Sequence, residues 1–127
     1  EPVAGRINTP GYEFNAFIAP DESFMIFSGY NRPDGFGGGD LYISFRKDNE
    51  QWSEPKNLGE GINSNKLDYC PFVDMNSKTL YFTSNRTGDL KNAKNLNISE
   101  LLKIFEKKNG LSRIYKVDIS DLLETKN

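Results

Sequence analysis

Two stretches of the sequence decide the fold: INTPGYEFNAFIAPDESFMIFS at residues 7–28 and INSNKLDYCPFVDMNSKTLYFT at residues 62–83. They align without a gap at an offset of 55 positions (62 minus 7). The identical pairs are Ile7 and Ile62, Asn8 and Asn63, Phe17 and Phe72, and Phe27 and Phe82. The matches include apolar residues inside the runs and polar residues at their ends, which chance similarity between two strands would not reproduce. The chain therefore contains an internal repeat.

Each repeat divides into short, aromatic-rich strands separated by turn-forming residues. Pro55 lies in the outermost predicted strand, and a sheet edge tolerates a residue without an N–H. Four short antiparallel strands in a unit of about 50 residues are typical of a β-propeller blade. We therefore expect an all-β fold of two four-stranded antiparallel blades with a short helical insertion. The predicted strands are 15–19, 24–28, 40–45 and 51–58 in the first repeat, and 70–74, 79–84 and 113–117 in the second.

The repeat also sets the predicted domain boundaries. Residues 1–8 (EPVAGRIN) begin and end like residues 54–63 (EPKNLGEGIN), so we interpret them as the tail of a preceding blade. Two blades cannot close a propeller, and we expect the remaining blades of a larger propeller, or self-association, to complete it. The predicted units are the tail at 1–8, a blade at 9–63, a blade at 64–120 with a helical insertion at about 97–109, and a C-terminal tail at 121–127.

Four runs of residues resemble a known repeat family. They are FIAPDESFMIFSGYNR (17–32), GGGDLYISF (37–45), WSEPKNLGEGINS (52–64) and DYCPFVDMNSKTLYFTSNR (68–86), and they resemble the PD40 repeats (WD40-like) of TolB-type β-propellers. Glu22 stands where these repeats usually carry glycine, and the second repeat lacks the Pro-Asp pair altogether. The resemblance implies a blade fold and a protein of the bacterial envelope, in the periplasm or associated with the outer membrane.

Composition argues against several kinds of chemistry. The chain has no histidine, which removes the commonest general base and zinc ligand. The formal net charge of −2, without a basic stripe, predicts no nucleic-acid partner, and no apolar run is long enough for membrane insertion. The one cysteine, Cys70, lies in an apolar run and is predicted to be a small buried core residue. We expect no catalytic residue, no metal site and no cofactor in this chain.

The segment between the last two predicted strands has the pattern of a helix. Ile98, Leu101, Leu102 and Phe105 recur at helical spacing, and Gly110 provides a stop. Asn97 followed by Glu100 predicts a capping box, so we expect a helix at about 98–108 and a second short helix after Ser120. Packing of the apolar stripe on an adjacent blade is the favoured interpretation, and docking of a protein partner on these four residues is the alternative.

The glycine-rich loop at 29–39 (GYNRPDGFGGG) is the most distinctive connection in the chain. It lacks the following helix and the Lys-Ser/Thr ending of a phosphate-binding loop, so we expect a flexible connection between two antiparallel strands. Asp34 and Asp40 flank the loop and could bind calcium together with backbone carbonyls, although the spacing of an EF-hand is absent.

Arg32 and Arg86 occupy equivalent positions after the second strand of each repeat, and Glu13 and Asp68 occupy equivalent positions near the first. An arginine repeated in every blade favours a structural role, bonding to carbonyls or to one of these acids in the next unit. The alternative is a charge at the rim of the blades for an anionic or sugar ligand.

The leading functional hypothesis is a non-catalytic propeller module that binds a protein or carbohydrate ligand, or acts as a scaffold. The alternative is the propeller domain of an enzyme, either glycan-active or associated with a peptidase, with catalytic residues largely outside this chain. The candidate ligand-binding residues are Tyr30, Arg32, Asp34, Phe36, Asp68, Tyr69 and Arg86.

Overall fold

Two antiparallel β-sheets, one for each repeat, make up most of the fold. The computed structural model describes residues 1–88 and 95–125. The first sheet has the order β1-β2-β3-β4 and the second the order β5-β6-β7. The elements are β1 (Tyr12–Ile18), β2 (Phe24–Tyr30), β3 (Gly39–Phe45), β4 (Lys56–Asn57), β5 (Asp68–Asp74), β6 (Thr79–Ser84), α1 (Ile98–Lys107), β7 (Arg113–Asp118) and α2 (Ser120–Glu124).

The prediction of antiparallel all-β units is confirmed, but the prediction of four strands in each unit is wrong for the second. Its sheet has three strands within the described residues. Where the first repeat continues into β4, the second forms α2, whose Leu122 and Leu123 pack on the core between the sheets. The predicted fourth strand of the first repeat is also shorter than 51–58, because pairing with β3 is limited to Lys56 and Asn57 plus an isolated bridge between Arg46 and Trp52. The two sheets do not close into a ring.

The repeat extends to an irregularity of the backbone. The β1–β2 register shifts between Phe14 and Phe17, and the β5–β6 register shifts at the equivalent place. Asn15 has a φ of 50° and Cys70, 55 positions later, a φ of 51°. A β-bulge redirects the side chains of the bulged strand. Cys70 is consequently exposed, and the prediction that it is buried was wrong.

The main core lies between the two sheets. Because successive side chains of a strand point to opposite faces, Phe24 and Ile26 of β2 face the second sheet, whereas Met25 and Phe27 face away from it. The first pair packs with Leu80 and others, and burying each such side chain stabilises the fold by roughly 1.5–3 kcal/mol. The facing residues of the main core are Phe24, Ile26, Leu41, Ile43, Val73, Leu80 and Phe82. The far side of the first sheet is covered by Ile7 and Trp52, which pack on Met25, Phe27 and Tyr42.

The glycine-rich loop connects β2 to β3 but is packed rather than free. A Cβ atom at Gly37 would collide with the backbone of Lys66, and one at Gly39 would collide with Leu67. The N–H of Gly38 donates to the carbonyl of Lys66 at 3.0 Å. The predicted connection between two antiparallel strands is confirmed, and the loop also contacts the second repeat through glycines that permit this close approach.

The insertion forms the predicted helix with the predicted cap. The Asn97 side chain accepts from the Glu100 N–H at 3.0 Å, and the Asn97 N–H donates to the Glu100 carboxylate at 2.9 Å. Ile98, Leu102 and Phe105 are 76%, 58% and 45% exposed, so the stripe does not pack on the two described sheets, and its packing on a further blade stays a prediction. The helix instead turns Ile104 toward Gly88, where a Cβ would not fit, and Leu101 is half-buried. Residues 89–94 of the second predicted blade and residues 126 and 127 of the predicted tail lie outside the described residues.

Neither described helix is long and apolar enough to cross a membrane.

Candidate functional site

Arg32 organises the first arginine cluster, which consists of Arg32, Ile7, Glu13, Phe27 and Tyr42. Its Nη2 donates to the carbonyl of Ile7 at 2.6 Å and to Glu13 Oε1 at 3.0 Å. The guanidinium carbon lies 5.1 Å from the ring centre of Phe27 and 4.8 Å from that of Tyr42. The guanidinium of Arg32 thus contacts an acid, a carbonyl oxygen and two aromatic rings.

Arg86 repeats this arrangement in the second arginine cluster, which consists of Arg86, Ile62, Asp68, Phe82 and Tyr115. Its Nη2 donates to the carbonyl of Ile62 at 2.6 Å and to Asp68 Oδ1 at 2.9 Å. The guanidinium carbon lies 5.3 Å from the ring centre of Phe82 and 4.6 Å from that of Tyr115. The structural interpretation of the repeated arginines is confirmed. Each arginine bonds to the acid of its own repeat, however, so the expected bond to the next unit was wrong.

The acids of the two clusters are held in equivalent ways. Glu13 accepts from the N–H of Thr9 at 3.0 Å and from its hydroxyl at 2.6 Å. Asp68 accepts from the N–H of Ser64 at 2.6 Å and from its hydroxyl at 2.8 Å. Partial burial raises the pKa of Glu13, but the two bonds from Thr9 and the nearby Arg32 outweigh it, and the net pKa is lowered from 4.5. Glu13 is thereby kept ionised as the partner of Arg32.

One hydroxyl distinguishes the two clusters. That of Ser84 accepts from Nε of Arg86 at 2.9 Å and from the backbone N–H of Arg86 at 3.2 Å. Gly29 occupies the matching position, because it pairs with Glu13 as Ser84 pairs with Asp68. Nε of Arg32 is therefore buried without a hydrogen-bond partner among the described residues.

The two aspartates of the glycine-rich loop form hydrogen bonds within the first repeat. Asp40 accepts from the N–H of Phe36 at 2.6 Å and from the Asn57 side chain at 2.9 Å. Asp34 accepts from the hydroxyl of Tyr42 at 2.9 Å. Burial, followed by the proximity of these two carboxylates, raises the pKa of Tyr42 above its ordinary value of 10.0. Within residues 1–88 and 95–125, no three cysteine or acidic side chains converge as a metal site.

Two exposed tyrosines lie beside the first cluster and form what we call the tyrosine site. Tyr12 and Tyr30 pair across β1 and β2, are 72% and 48% exposed, and meet edge to face with ring centres 5.9 Å apart. With Glu13 and Phe14 they line an open depression of about 480 Å³. The sequence analysis missed Tyr12. An aromatic residue in the register position opposite Tyr30 was the signal that could have found it.

The predicted ligand-binding residues fall into an exposed and an interior group. Tyr30, Asp34 and Phe36 are exposed on the loop side of the first sheet. The other four residues form hydrogen bonds within the protein. The hydroxyl of Tyr69 bonds to Ser112 at 2.9 Å, and Arg32, Asp68 and Arg86 belong to the arginine clusters.

Comparison with known proteins adds no assignment to these positions. No protein-family model, no curated protein and no solved structure matches the chain. A functional assignment therefore depends on the residues of the tyrosine site and on their geometry.

Proposed function

We propose that the chain is a non-catalytic binding module built from β-propeller blades, and that it holds a glycan or protein ligand at the tyrosine site. The observation that carries this proposal is the pair of exposed tyrosines, Tyr12 and Tyr30, above an open depression. Contiguous exposed apolar surface often marks a site of interaction. The aromatic faces and hydroxyls suit a ligand with both apolar and polar groups, as sugars and protein surfaces have.

The blade assignment is supported by contacts that recur at a fixed offset. The arginine bonds to Ile7 and Ile62 are both 2.6 Å long, and these carbonyls lie 55 positions apart. The bulges at Asn15 and Cys70 have the same offset. A unit that repeats its buried ion pair, bulge and strand order stacks with neighbours of its own kind, which is the principle of a propeller. Location in the bacterial envelope, in the periplasm or at the outer membrane, belongs to the same proposal and follows from the PD40 resemblance.

The charged residues of the site support binding rather than proton transfer. Arg32 and Glu13 are paired, with side chains only 11% and 10% exposed, so neither is presented freely to a substrate. Glu13 lines the depression as part of this neutral pair, and the tyrosines contribute the contact area. A ligand held there would meet aromatic rings first.

A protein ligand would have a second surface to contact. Ile98, Leu102 and Phe105 of α1 are exposed on a helix that is capped at its start. Amphipathic helices commonly bind a partner through such residues. We include this stripe in the proposal only for a protein ligand, because a sugar would gain little from aliphatic contacts.

The experiment is binding to an oligosaccharide array, followed by calorimetry with the best-bound oligosaccharide. Tyr12→Ala and Tyr30→Ala should each weaken binding by about tenfold or more, the loss expected for an aromatic residue central to a contact. Ile18→Ala is the matched control, because Ile18 is 47% exposed at the other end of β1, roughly 20 Å from Tyr12. Full affinity in the Tyr12→Ala/Tyr30→Ala double variant would overturn the proposal. So would the absence of oligosaccharide binding together with protein capture that is independent of both tyrosines.

A further inference from the structure

Ser28 lies directly behind the tyrosine site. Successive residues of β2 alternate between the two faces of the sheet, so Ser28 is on the same face as Tyr30. Across the strand pair, Phe14 is opposite Ser28, and Tyr12 is opposite Tyr30. The two pairs therefore form consecutive rows on one face of the first sheet, and all of these residues except Ser28 line the depression.

The hydroxyl of Ser28 is buried and unpaired. The residue is fully buried, and its Oγ has no hydrogen-bond partner among residues 1–88 and 95–125. Its neighbours on the same face of β2 and β3, Ile26 and Leu41, are apolar and fully buried. An unpaired buried hydroxyl costs free energy, and such a group in a native protein calls for a bound water, an ion or a functional role. Packing alone therefore does not account for a serine at this position.

The other two buried serines of the described chain show what a buried hydroxyl ordinarily does. Ser44 Oγ donates to a backbone carbonyl at 2.7 Å, and Ser84 Oγ accepts from Nε of Arg86 at 2.9 Å. At the position equivalent to Ser28, 55 residues later, the second repeat has Thr83, which is half-buried. Full burial and an unpaired hydroxyl thus occur together in the repeat that has the tyrosine site.

The ring of Phe14 separates this hydroxyl from the depression. Phe14 belongs to β1, yet its Cζ would lie 3.6 Å from a Cβ atom added at Gly39 of β3. The ring therefore reaches across β2, and it does so between Ser28 and Tyr30, because Gly39 is paired with Tyr30. Phe14 is only half-buried and lines the depression. Rotation of this one side chain would connect the Ser28 hydroxyl to the depression.

We propose that the tyrosine site has an inner subsite at Ser28, which takes the hydroxymethyl group of a sugar when the Phe14 ring turns aside. A hydroxymethyl group has one hydroxyl to pair with the Ser28 hydroxyl and one methylene for the apolar side chains beside it. The Ser28 hydroxyl has no bond to give up within the described residues, so its bond to the sugar adds to the affinity. The subsite rests on the proposed function, since the two tyrosines hold the rest of the sugar.

Ser28→Ala separates binding from stability. The probe is the best-bound oligosaccharide of the array, compared by calorimetry with its analogues that each lack one 6-hydroxyl. One analogue should bind the wild type about tenfold more weakly than the parent sugar does, and Ser28→Ala should bind that analogue and the parent equally. Because Ser28→Ala removes an unpaired buried group, it should unfold at the same urea concentration as the wild type or at a higher one.

Ser44→Ala is the matched control, because Ser44 is equally buried but lies on the opposite face of the sheet, paired with Met25. It loses the 2.7 Å bond of its hydroxyl, so it should unfold at a lower urea concentration and keep full affinity for the oligosaccharide. The two serine variants should therefore have opposite effects on binding and on stability.

Phe14→Leu tests the part played by the ring. A leucine side chain is too short to reach β3, so the subsite should stay open. Association with the same oligosaccharide, followed by stopped-flow tyrosine fluorescence, should be several-fold faster than in the wild type, because opening no longer limits binding. Circular dichroism reports whether the variant is folded, and the serine variants decide the outcome if it is not. Association no faster than in the wild type would contradict the role of Phe14.

The outcomes distinguish the subsite from the proposed function. Full affinity in Ser28→Ala, while Tyr12→Ala and Tyr30→Ala lose affinity, would overturn the subsite and leave the proposed function in place. A best-bound oligosaccharide without a hydroxymethyl group would do the same. So would protein capture that needs both tyrosines when no oligosaccharide binds.

Discussion

The outer edges of the two sheets are built differently, whereas the arginine clusters inside them are nearly identical. The first sheet is closed by β4 and by the bonds of Asn63 to Leu41, whereas the second sheet ends at β7 within the described residues and the chain continues into α2. Each arginine bonds to an acid at the start of its repeat and stacks on rings of the second and third strands, so the cluster fixes the same three strands in both sheets.

The clusters also differ in how completely they are satisfied. Asp68 is fully buried and Arg86 has a partner at Nε, whereas Glu13 is 10% exposed and the Nε of Arg32 has none within the described residues. The acid of the second cluster is therefore more deeply buried, and its arginine is more fully hydrogen-bonded, than in the first. Its loss should cost more than the loss of the first.

Removing the arginines is the strongest way to test this difference. Arg86→Leu should lower the free energy of unfolding by about 3–5 kcal/mol, since it leaves the buried carboxylate of Asp68 without its cation. Arg32→Leu should cost less. Urea unfolding followed by circular dichroism measures both, with Arg6→Leu as a control near zero, because Arg6 and Glu54 are 81% and 64% exposed. Equal losses for the two arginines would show that the clusters are energetically equivalent.

The packed loop gives the next largest expected effect. A Cβ at Gly37 would meet the backbone of Lys66, which cannot move without disturbing the junction of the repeats. Gly37→Ala should therefore lower the unfolding free energy by about 1–3 kcal/mol, the usual cost of overpacking. Gly38→Ala is the matched control, since nothing lies within 4 Å of its added Cβ. If the two variants unfold at the same urea concentration, the loop does not join the repeats as described.

A serine can be removed to make the second cluster resemble the first. Ser84→Ala deletes the acceptor 2.9 Å from the Nε of Arg86 and leaves that N–H as unpaired as the one of Arg32. We expect a loss of about 1–2 kcal/mol in the free energy of unfolding, as for other buried donors that lose a partner. In an Arg86→Leu background the same change should cost less, because only the 3.2 Å bond from the backbone N–H at position 86 is left to lose. A full loss in both backgrounds would place the role of Ser84 outside the cluster.

The sequence predicted the parts of the fold that follow from local rules or from the repeat. The helix cap at Asn97 needs only two residues three positions apart, and it formed as expected. The strands followed from aromatic-rich runs bounded by turn formers, and the involvement of Arg32 and Arg86 followed from their repetition. These features depend on short stretches of chain or on a comparison of equivalent positions in the two repeats.

The features that were missed depend on register. The pairing of Glu13 with Gly29 brings this acid to the arginine of its own repeat, and no spacing along the chain reveals that register. The bulge that exposes Cys70 needs a positive φ, which its apolar neighbours did not indicate. Tyr12 becomes a candidate only because Tyr30 lies opposite it across the strand pair.

The pH dependence of stability is expected to be the smallest effect and to test the first cluster alone. The pKa of Glu13 is lowered in the folded state, so its ionised form stabilises the fold above the unfolded-state value of about 4.5, and this contribution disappears as the pH falls through the folded-state pKa. Glu13→Gln lacks that contribution and should lose less unfolding free energy than the wild type between pH 7 and pH 3.5. Urea unfolding at both pH values measures the difference. An equal loss in wild type and variant would mean that Thr9 and Arg32 hold Glu13 no better in the folded protein than water does in the unfolded chain, and that the first cluster is held by its aromatic and carbonyl contacts.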